Sequence, residues 1–244
     1  MRSMRIVGLG IFFFVFTSYL QAADDWTKES SVQVLQSSQG RNGLGSGTVI
    51  GVDTNGYDVL TCAHVILVFG FAEKQEGDGS WDAPIGETKV KPVGGEWQKA
   101  RVLAYHRNCD LALLRVKDKK PKVKASPLAS KVKYHDLEVI KCGYPGQRGR
   151  HTQVSTCLGK RSGLSSYHLL AEAESVVASV ASESGDSGGG LFGTKDRCLI
   201  GVVWGKAQLE GEWRLCAVPL KEIQAFLKEA EWKKQDKVVA TPAK

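Results

Sequence analysis

The sequence predicts an all-β fold, built as packed sandwiches or barrels and followed by one C-terminal helix. Short segments rich in β-branched residues recur through most of the chain, separated by turns of glycine, proline or asparagine. The composition, 42% hydrophobic and 24% charged, excludes collagen-like and disordered chains. A chain of 244 residues can bury roughly 70–75% of its unfolded surface, so it needs no metal or disulfide merely to fold.

The first 23 residues are predicted to be a secretory signal peptide. Arg2 and Arg5 precede residues 6–20, a run without charge, and small residues at 22 and 23 lead out of it. The run is shorter than the ~20 residues of a membrane-spanning helix, and an uncleaved anchor is the alternative. We therefore expect a secreted or periplasmic protein with no stable membrane insertion after signal removal.

Strand candidates follow in order along the remaining chain. Residues 31–36 alternate around two valines, 47–52 are β-branched, and the Asn-Gly of 53–56 predicts a hairpin turn before 57–61. Further candidate strands are 89–92, 99–105, 111–116, 138–142, 153–158, 168–171, 199–203 and 213–218. Short strands at this spacing are typical of sandwiches and barrels.

Three segments lie outside this strand pattern. Residues 221–232 repeat Ile223, Phe226 and Leu227 at helical spacing, which predicts a helix, and 233–244 are predicted to be a mobile tail. Residues 117–133 contain seven lysines, which indicate a solvated connector or, alternatively, a nucleic-acid patch. Because this segment has no aromatic residue on which bases stack, and the formal charge is only +7, we predict no nucleic-acid partner.

One serine, one histidine and one aspartate form the most specific pattern. Ser187 lies in the glycine-rich run 184–190, where backbone N–H groups can gather in one concavity. His64 ends an apolar strand, and Asp110 lies at the mouth of another. Each alone is more often structural. In the order His, Asp, Ser, with spacings of 46 and 77 residues, they indicate nucleophilic catalysis.

This constellation resembles the trypsin/chymotrypsin-like serine proteases. The matching motifs are Thr-Cys-Ala-His at 61–64, Asp-Leu-Ala-Leu-Leu at 110–114, Gly-Asp-Ser-Gly-Gly at 185–189 and Val-Val-Trp-Gly at 202–205. Segments 45–50, 140–146 and 217–220 resemble the bacterial HtrA-like branch, here without a PDZ domain. The resemblance covers about residues 30–227. It implies two packed six-stranded antiparallel barrels within a protease domain at 24–232, namely 30–117 and 134–220, joined by connector 118–133.

The resemblance also implies a role for each site residue. Ser187 is the expected nucleophile, His64 its base and later acid, and Asp110 the group that holds the imidazole tautomer. The backbone N–H groups of Gly185 and Ser187 are expected to form the oxyanion hole, typically worth ~3–4 kcal/mol per donor. The chain is therefore expected to be a serine endopeptidase acting on proteins or peptides, with no cofactor.

Substrate-binding residues follow from the same resemblance. Val203, Trp204 and Gly205 are expected to pair with the substrate backbone as an added strand. Ala181, beside Ser182, is expected at the floor of the specificity pocket, where it supplies no carboxylate for a cationic side chain. A neutral pocket favours small to medium aliphatic side chains, although Arg214 pointing inward would favour acidic ones.

Departures from the family pattern leave a second hypothesis open. Val203 stands where many members have serine, and Gly190 stands where proline is commonest. Neither removes a chemical group, but a non-catalytic peptide-binding protein on the same fold remains the alternative. No Arg/Lys-Ile-Val-Gly-Gly sequence precedes the first strand, so we expect internal donors to satisfy Asp186, without a second activating cut.

Six cysteines suggest up to three disulfides in an exported chain, with fifteen possible full pairings. The candidates are Cys62, Cys109, Cys142, Cys157, Cys198 and Cys216. The 199–203 and 213–218 arms favour a bridge from Cys198 to Cys216, and neighbouring site residues favour one from Cys62 to Cys109. The chain reversal at 143–149, rich in glycine and proline, favours a third bridge from Cys142 to Cys157. No Cys-x-x-Cys motif occurs, so we predict no metal.

Overall fold

The computed structural model describes residues 26–38, 41–67, 86–145, 149–164 and 174–230. The predicted signal peptide 1–23, the strand candidate 168–171 and the tail 233–244 lie outside the described residues. Among the residues that are described, no helix combines the length and the apolar character needed to cross a membrane.

The first half of the chain forms a closed antiparallel barrel. Its strands are β1 (Ser31–Ser38), β2 (Arg41–Asp53), β3 (Gly56–Thr61), β4 (Glu87–Pro92), β5 (Gln98–His106) and β6 (Leu111–Lys117), with the short helix α1 (Ala63–Leu67) after β3. The strand order is β1-β2-β3-β6-β5-β4, and pairing of β1 with β4 closes the ring. Closure leaves the sheet without open edges.

The second half repeats this architecture. Its strands are β7 (Glu138–Gly143), β8 (His151–Arg161), β9 (Ser175–Ala178), β10 (Gly190–Gly193), β11 (Leu199–Leu209) and β12 (Glu212–Pro219), followed by helix α2 (Leu220–Glu229). The order β10-β11-β12-β9-β8-β7 closes through the pairing of β10 with β7. The predicted all-β fold of two six-stranded barrels and a C-terminal helix is therefore confirmed.

Local sequence explains the elements that were predicted. In the β2–β3 hairpin, Asp53 pairs with Gly56, and the Asn55 N–H donates to the Asp53 carboxylate at 2.8 Å. This Asx interaction stabilises the tight turn. Helix α2 buries the predicted face of Ile223, Phe226 and Leu227 against the barrels.

Strands β9 and β10 were missed because tertiary pairing creates them. Strand β10 has the sequence Gly-Leu-Phe-Gly, whose two glycines disfavour a strand locally. It is extended because Gly190 pairs with Cys142 on one side and Val202 on the other. Strand β9 has four residues, all buried, and lies between β8 and β12.

One apolar cluster spans both barrels, and the second barrel also has a buried cluster of its own. A single buried cluster includes Leu113 of the first barrel together with Phe192 and Val202 of the second. The segment before β1 also contacts both barrels, since the Ser30 carbonyl accepts from the Val49 N–H of the first at 2.7 Å and the Trp26 ring packs edge-on against Phe192 of the second, with centroids 5.2 Å apart. The crevice between the barrels is therefore fixed by buried contacts on both sides.

All six cysteines are free and buried, so the predicted disulfides are absent from the structure. Cys216 lies opposite Gly205, whereas Cys198 precedes β11, about seven positions further along the hairpin. At 3.3 Å per residue the offset is roughly 23 Å. A bridge needs a Cα separation of about 4.4–6.8 Å, so the pairing of Cys198 with Cys216 is wrong.

The pairing of Cys142 with Cys157 is wrong for the same reason. Cys142 lies opposite Thr152, and the Cys157 N–H donates to the Leu137 carbonyl beyond the far end of β7. The offset along the hairpin is about five residues, or roughly 16 Å.

The third predicted bridge, between Cys62 and Cys109, is also not formed. The Cys62 thiol donates to the Val203 carbonyl at 3.2 Å, while Cys109 Sγ lies 3.3 Å from His106 Nδ1. Each sulfur therefore contacts a different polar group.

Candidate active site

His64 and Asp110 are held together by two hydrogen bonds in the first barrel. The His64 N–H donates to Asp110 Oδ1 at 2.9 Å, and His64 Nδ1 lies 2.7 Å from Asp110 Oδ2. The carboxylate is fully buried, whereas the imidazole is 31% exposed. With Nδ1 engaged by the carboxylate, Nε2 is the ring atom left for a second partner.

Backbone geometry explains the position of Asp110. This residue has φ 51°, in the left-handed region that aspartate tolerates better than most residues. Its carbonyl accepts from the Ala63 N–H at 3.1 Å, which joins the start of β6 to the start of α1. The predicted strand-end positions of His64 and Asp110 thus converge because β3 and β6 are paired neighbours.

Ser187 lies on the loop between β9 and β10 and is the residue that the second barrel contributes to the candidate site. It is half-buried, and its hydroxyl donates to the Trp204 carbonyl at 3.2 Å. The loop touches the first barrel directly, because the Ser187 carbonyl accepts from the Ser46 N–H at 2.7 Å. The structure therefore places Ser187 at the junction between the barrels.

A glycine turn before Ser187 arranges the backbone donors. The Asp186 N–H donates to the Glu183 carbonyl at 3.1 Å, and Gly185 has φ 99°. Positive φ at the third position defines a type II turn, which requires glycine there. Among the described residues, the N–H groups of Gly185 and Ser187 donate to no acceptor.

One carboxylate oxygen of Asp186, Oδ2, accepts hydrogen bonds from donors within the chain, whereas Oδ1 is buried and has no partner among the described residues. The Lys141 ammonium lies 2.7 Å from Asp186 Oδ2, which also accepts from the Glu183 N–H at 2.8 Å. Both side chains of the pair are buried: that of Lys141 is 1% exposed and that of Asp186 is 0% exposed. The expected internal donors are therefore present. Sequence analysis did not identify Lys141, although a lone lysine inside the apolar strand β7 was a signal.

The predicted substrate edge on β11 divides into two parts. Val203 donates its N–H to the Gly189 carbonyl at 2.8 Å and accepts from the Gly188 N–H at 2.7 Å. Its backbone thus supports the serine loop. At Gly205, beyond the bulge at Trp204, the strand pairs with Cys216. The open part of the edge therefore begins at Trp204, one residue later than expected.

The Trp204 indole belongs to the core. It is 2% exposed, and Nε1 donates to Ser175 Oγ at 3.1 Å. The indole therefore packs inward, which leaves the backbone of Trp204 for the predicted pairing with a substrate strand.

Cys62, His64 and Asp110 form the one group of potential metal ligands among the described residues, with ligand atoms within 4.8 Å of one another. Burial raises the pKa of the Cys62 thiol well above its ordinary value, and the Asp110 charge adds to this shift. A cysteine binds zinc as the thiolate, and His64 Nδ1 already faces Asp110. These three side chains are therefore better described as a hydrogen-bonded cluster than as a metal site.

The two residues expected at the specificity pocket, Ala181 and Ser182, carry no charge. Ala181 is exposed, and Ser182 is buried. Arg214 Nη1 donates to the Ser179 carbonyl at 2.9 Å, and its other nitrogen pairs with Glu212. The guanidinium is therefore bound to backbone and to a surface carboxylate.

Two six-stranded barrels, with a hydrogen-bonded histidine–aspartate pair from one and a serine in a glycine-rich loop from the other, define a trypsin-like serine endopeptidase. The family model described as the trypsin-like peptidase domain matches residues 45–202. The chain belongs to the trypsin-like peptidase family.

Solved structures support the same fold. The Rv3671c protease from M. tuberculosis, in its active form, is 21% identical with a TM-score of 0.67, over 95% of this chain and 88% of that one. The HtrA-type protease AlgW with a tripeptide is 19% identical with a TM-score of 0.68, over 89% and 64%. A serine endoprotease from Yersinia pestis is 19% identical with a TM-score of 0.63, over 90% and 68%. A comparison with curated protein sequences finds no match.

Proposed function

We propose that this protein is an exported serine endopeptidase that cleaves proteins or peptides through an acyl-enzyme on Ser187. The observation that carries the proposal is the hydrogen bond from half-buried His64 to buried Asp110, combined with two unused N–H donors at Gly185 and Ser187. Unpaired donors beside a partly exposed serine suit a developing oxyanion. The signal-like residues 1–23 are the basis for export.

In the proposed reaction, the Ser187 hydroxyl turns from the Trp204 carbonyl toward His64 Nε2. Nε2 takes the proton as Oγ bonds to the substrate carbonyl carbon, and the Gly185 and Ser187 N–H groups bind the resulting oxyanion. Asp110 stabilises the imidazolium. His64 then protonates the leaving amine as the C–N bond breaks. Water, deprotonated by His64, hydrolyses the ester, which releases the acid and restores Ser187.

The same site suggests the substrate class. An extended peptide would pair with the backbone of Trp204 and Gly205, so that main-chain hydrogen bonds supply affinity for many sequences. Because Ala181 and Ser182, the residues expected at the pocket, carry no charge and Arg214 is engaged elsewhere, we propose a neutral pocket for valine, alanine or leucine. Cleavage of a peptide library should show these residues before the cut, and dominant cutting after lysine or arginine would contradict the assignment.

A fluorophosphonate probe tests the proposed chemistry. The wild-type protein should be labelled, while Ser187→Ala should not, and His64→Ala should lower kcat by roughly 10⁶. Thr88→Val, which alters a buried hydroxyl in the first barrel, is a folding control that should label normally. Retention of a tenth of wild-type activity in either site variant would contradict the proposal.

A non-catalytic peptide-binding protein is the second candidate. The observation that favours it is the Ser187 hydroxyl, which donates to Trp204 rather than to His64. Peptide binding by a folded wild-type protein that neither labels nor cleaves would support this alternative.

A further inference from the structure

Ser46 is a buried side chain between the two barrels that the proposed chemistry does not use. It lies in β2 and is 1% exposed. Its hydroxyl donates to the Gly185 carbonyl at 2.6 Å and accepts from the Tyr144 N–H at 2.8 Å. One oxygen of the first barrel therefore bridges two separate loops of the second.

The backbone of Ser46 makes two further contacts at the same place. Its N–H donates to the Ser187 carbonyl at 2.7 Å, and its carbonyl accepts from Thr61 Oγ1 at 2.7 Å. Ser46 thus touches the carbonyls of both Gly185 and Ser187, the two residues whose N–H groups are unused. The Thr61 hydrogen bond therefore connects Ser46 to the end of β3, three residues before His64.

Gly185 needs such an anchor because glycine adopts many backbone conformations at little cost. The Gly185 N–H belongs to the peptide between Ser184 and Gly185, whose orientation defines the type II turn at 183–186. The next peptide, between Gly185 and Asp186, holds the other side of the Gly185 Cα, so the turn keeps its shape while this next peptide stays in place. That peptide is fixed at both ends, by Ser46 at the Gly185 carbonyl and by Glu183 at the Asp186 N–H. Loss of the Ser46 hydroxyl would release one end and leave the Tyr144 N–H without its acceptor.

We propose that Ser46 is a positioning residue that holds the Gly185 N–H in the orientation needed for the oxyanion, through hydrogen bonds to Gly185 and Tyr144. This inference rests on the proposed function, since it concerns the same transition state. A residue of β2, in the first barrel, thus orients an oxyanion-binding N–H that belongs to the second barrel. Ser46 acts through Gly185 and makes no contact with substrate.

The test is Ser46→Ala, compared with wild type and with Thr88→Val as a matched loss of a buried hydroxyl. We expect kcat to fall about 10- to 100-fold with KM within twofold, a smaller loss than removal of an oxyanion donor itself. Affinity for a peptidyl boronate, whose tetrahedral adduct occupies the oxyanion site, should fall by the same factor as kcat/KM. Binding of a product peptide should remain unchanged.

Each outcome decides between the positioning role and a merely structural one. A kcat within twofold of wild type, a change confined to KM, or unchanged boronate affinity would overturn the role of Ser46. Failure of wild type to react with the fluorophosphonate would instead overturn the proposed function, and this inference with it. If Ser46→Ala does not fold, Ser46→Cys keeps a weaker hydrogen-bonding atom and should give an intermediate kcat. Wild-type kcat in that variant would overturn the inference.

Discussion

At the residue scale, burial controls the chemistry of the six thiols. It raises the pKa of Cys109, Cys157 and Cys216 to about 12 in each case. Because thiolates are the reactive form, these side chains should be inert toward alkylating reagents near neutral pH in the folded protein. Cys62 is also fully buried, and its thiol donates to the Val203 carbonyl.

We predict that a thiol reagent at pH 8 modifies none of the six cysteines in the native protein and all six in guanidinium. Because the folded thiols keep protons that the unfolded chain loses above about pH 9, stability should also decline between about pH 9 and 12. Mass spectrometry after alkylation counts the thiols. Fewer than six modified cysteines under denaturing, non-reducing conditions would restore the disulfide hypothesis.

At the element scale, strand β7 holds the serine loop through the Lys141–Asp186 pair. A buried pair contributes little net stability, but loss of one member leaves the other charged and buried. Lys141 also supplies a cation from within the second barrel, so the loop is organised without a new chain terminus. Activity without a second activating cut stays a prediction.

We predict that Lys141→Met lowers the free energy of unfolding by about 3–5 kcal/mol and lowers kcat, because the Asp186 carboxylate loses its cation. Urea unfolding and peptide hydrolysis measure the two effects. Adding Asp186→Asn should recover part of the stability. Lys124→Met, which breaks an exposed pair with Glu29, is the matched control and should change the unfolding free energy little. Equal effects of both lysine variants would contradict the prediction.

At the scale of the whole molecule, the two barrels are packed as one unit. One apolar cluster crosses between them, and the segment before β1 contacts the first barrel through the Ser30 carbonyl, which accepts from the Val49 N–H at 2.7 Å. In that segment, Thr27 Oγ1 accepts from Arg150 at 2.9 Å, and Trp26 packs on Phe192. Unfolding of one barrel would therefore expose apolar surface of the other.

We predict a single cooperative unfolding transition, and a loss of about 2–3 kcal/mol in Trp26→Ala because the half-buried ring leaves the Phe192 contact. Calorimetry compares the calorimetric enthalpy with the van't Hoff enthalpy. Trp213→Ala, at an exposed tryptophan, is the control and should leave the transition nearly unchanged. Two separated transitions in the wild-type protein would show that the barrels unfold independently.

Much of the fold was predictable because its signals are local. Alternating apolar residues predicted β1, the Asn-Gly turn predicted the β2–β3 hairpin, and helical spacing predicted α2. Strand β10 was not predictable, because its extended conformation comes from pairing on both sides. The cysteine pairings failed because a prediction of strands contains no register, and register determines which side chains face each other.

The sequence by itself predicted an all-β fold and singled out His64, Asp110 and Ser187 as the candidate site, because short motifs and their order preserve chemical type; the two barrels followed from the family resemblance that those motifs carry. Only the tertiary structure decided which groups support them. Lys141 and Ser46 reach Asp186 and Gly185 from 45 and 139 residues away along the chain. Such contacts arise where the barrels close and pack, and no local pattern encodes them, because hydrogen bonds between distant segments depend on strand register and on the packing of one barrel against the other.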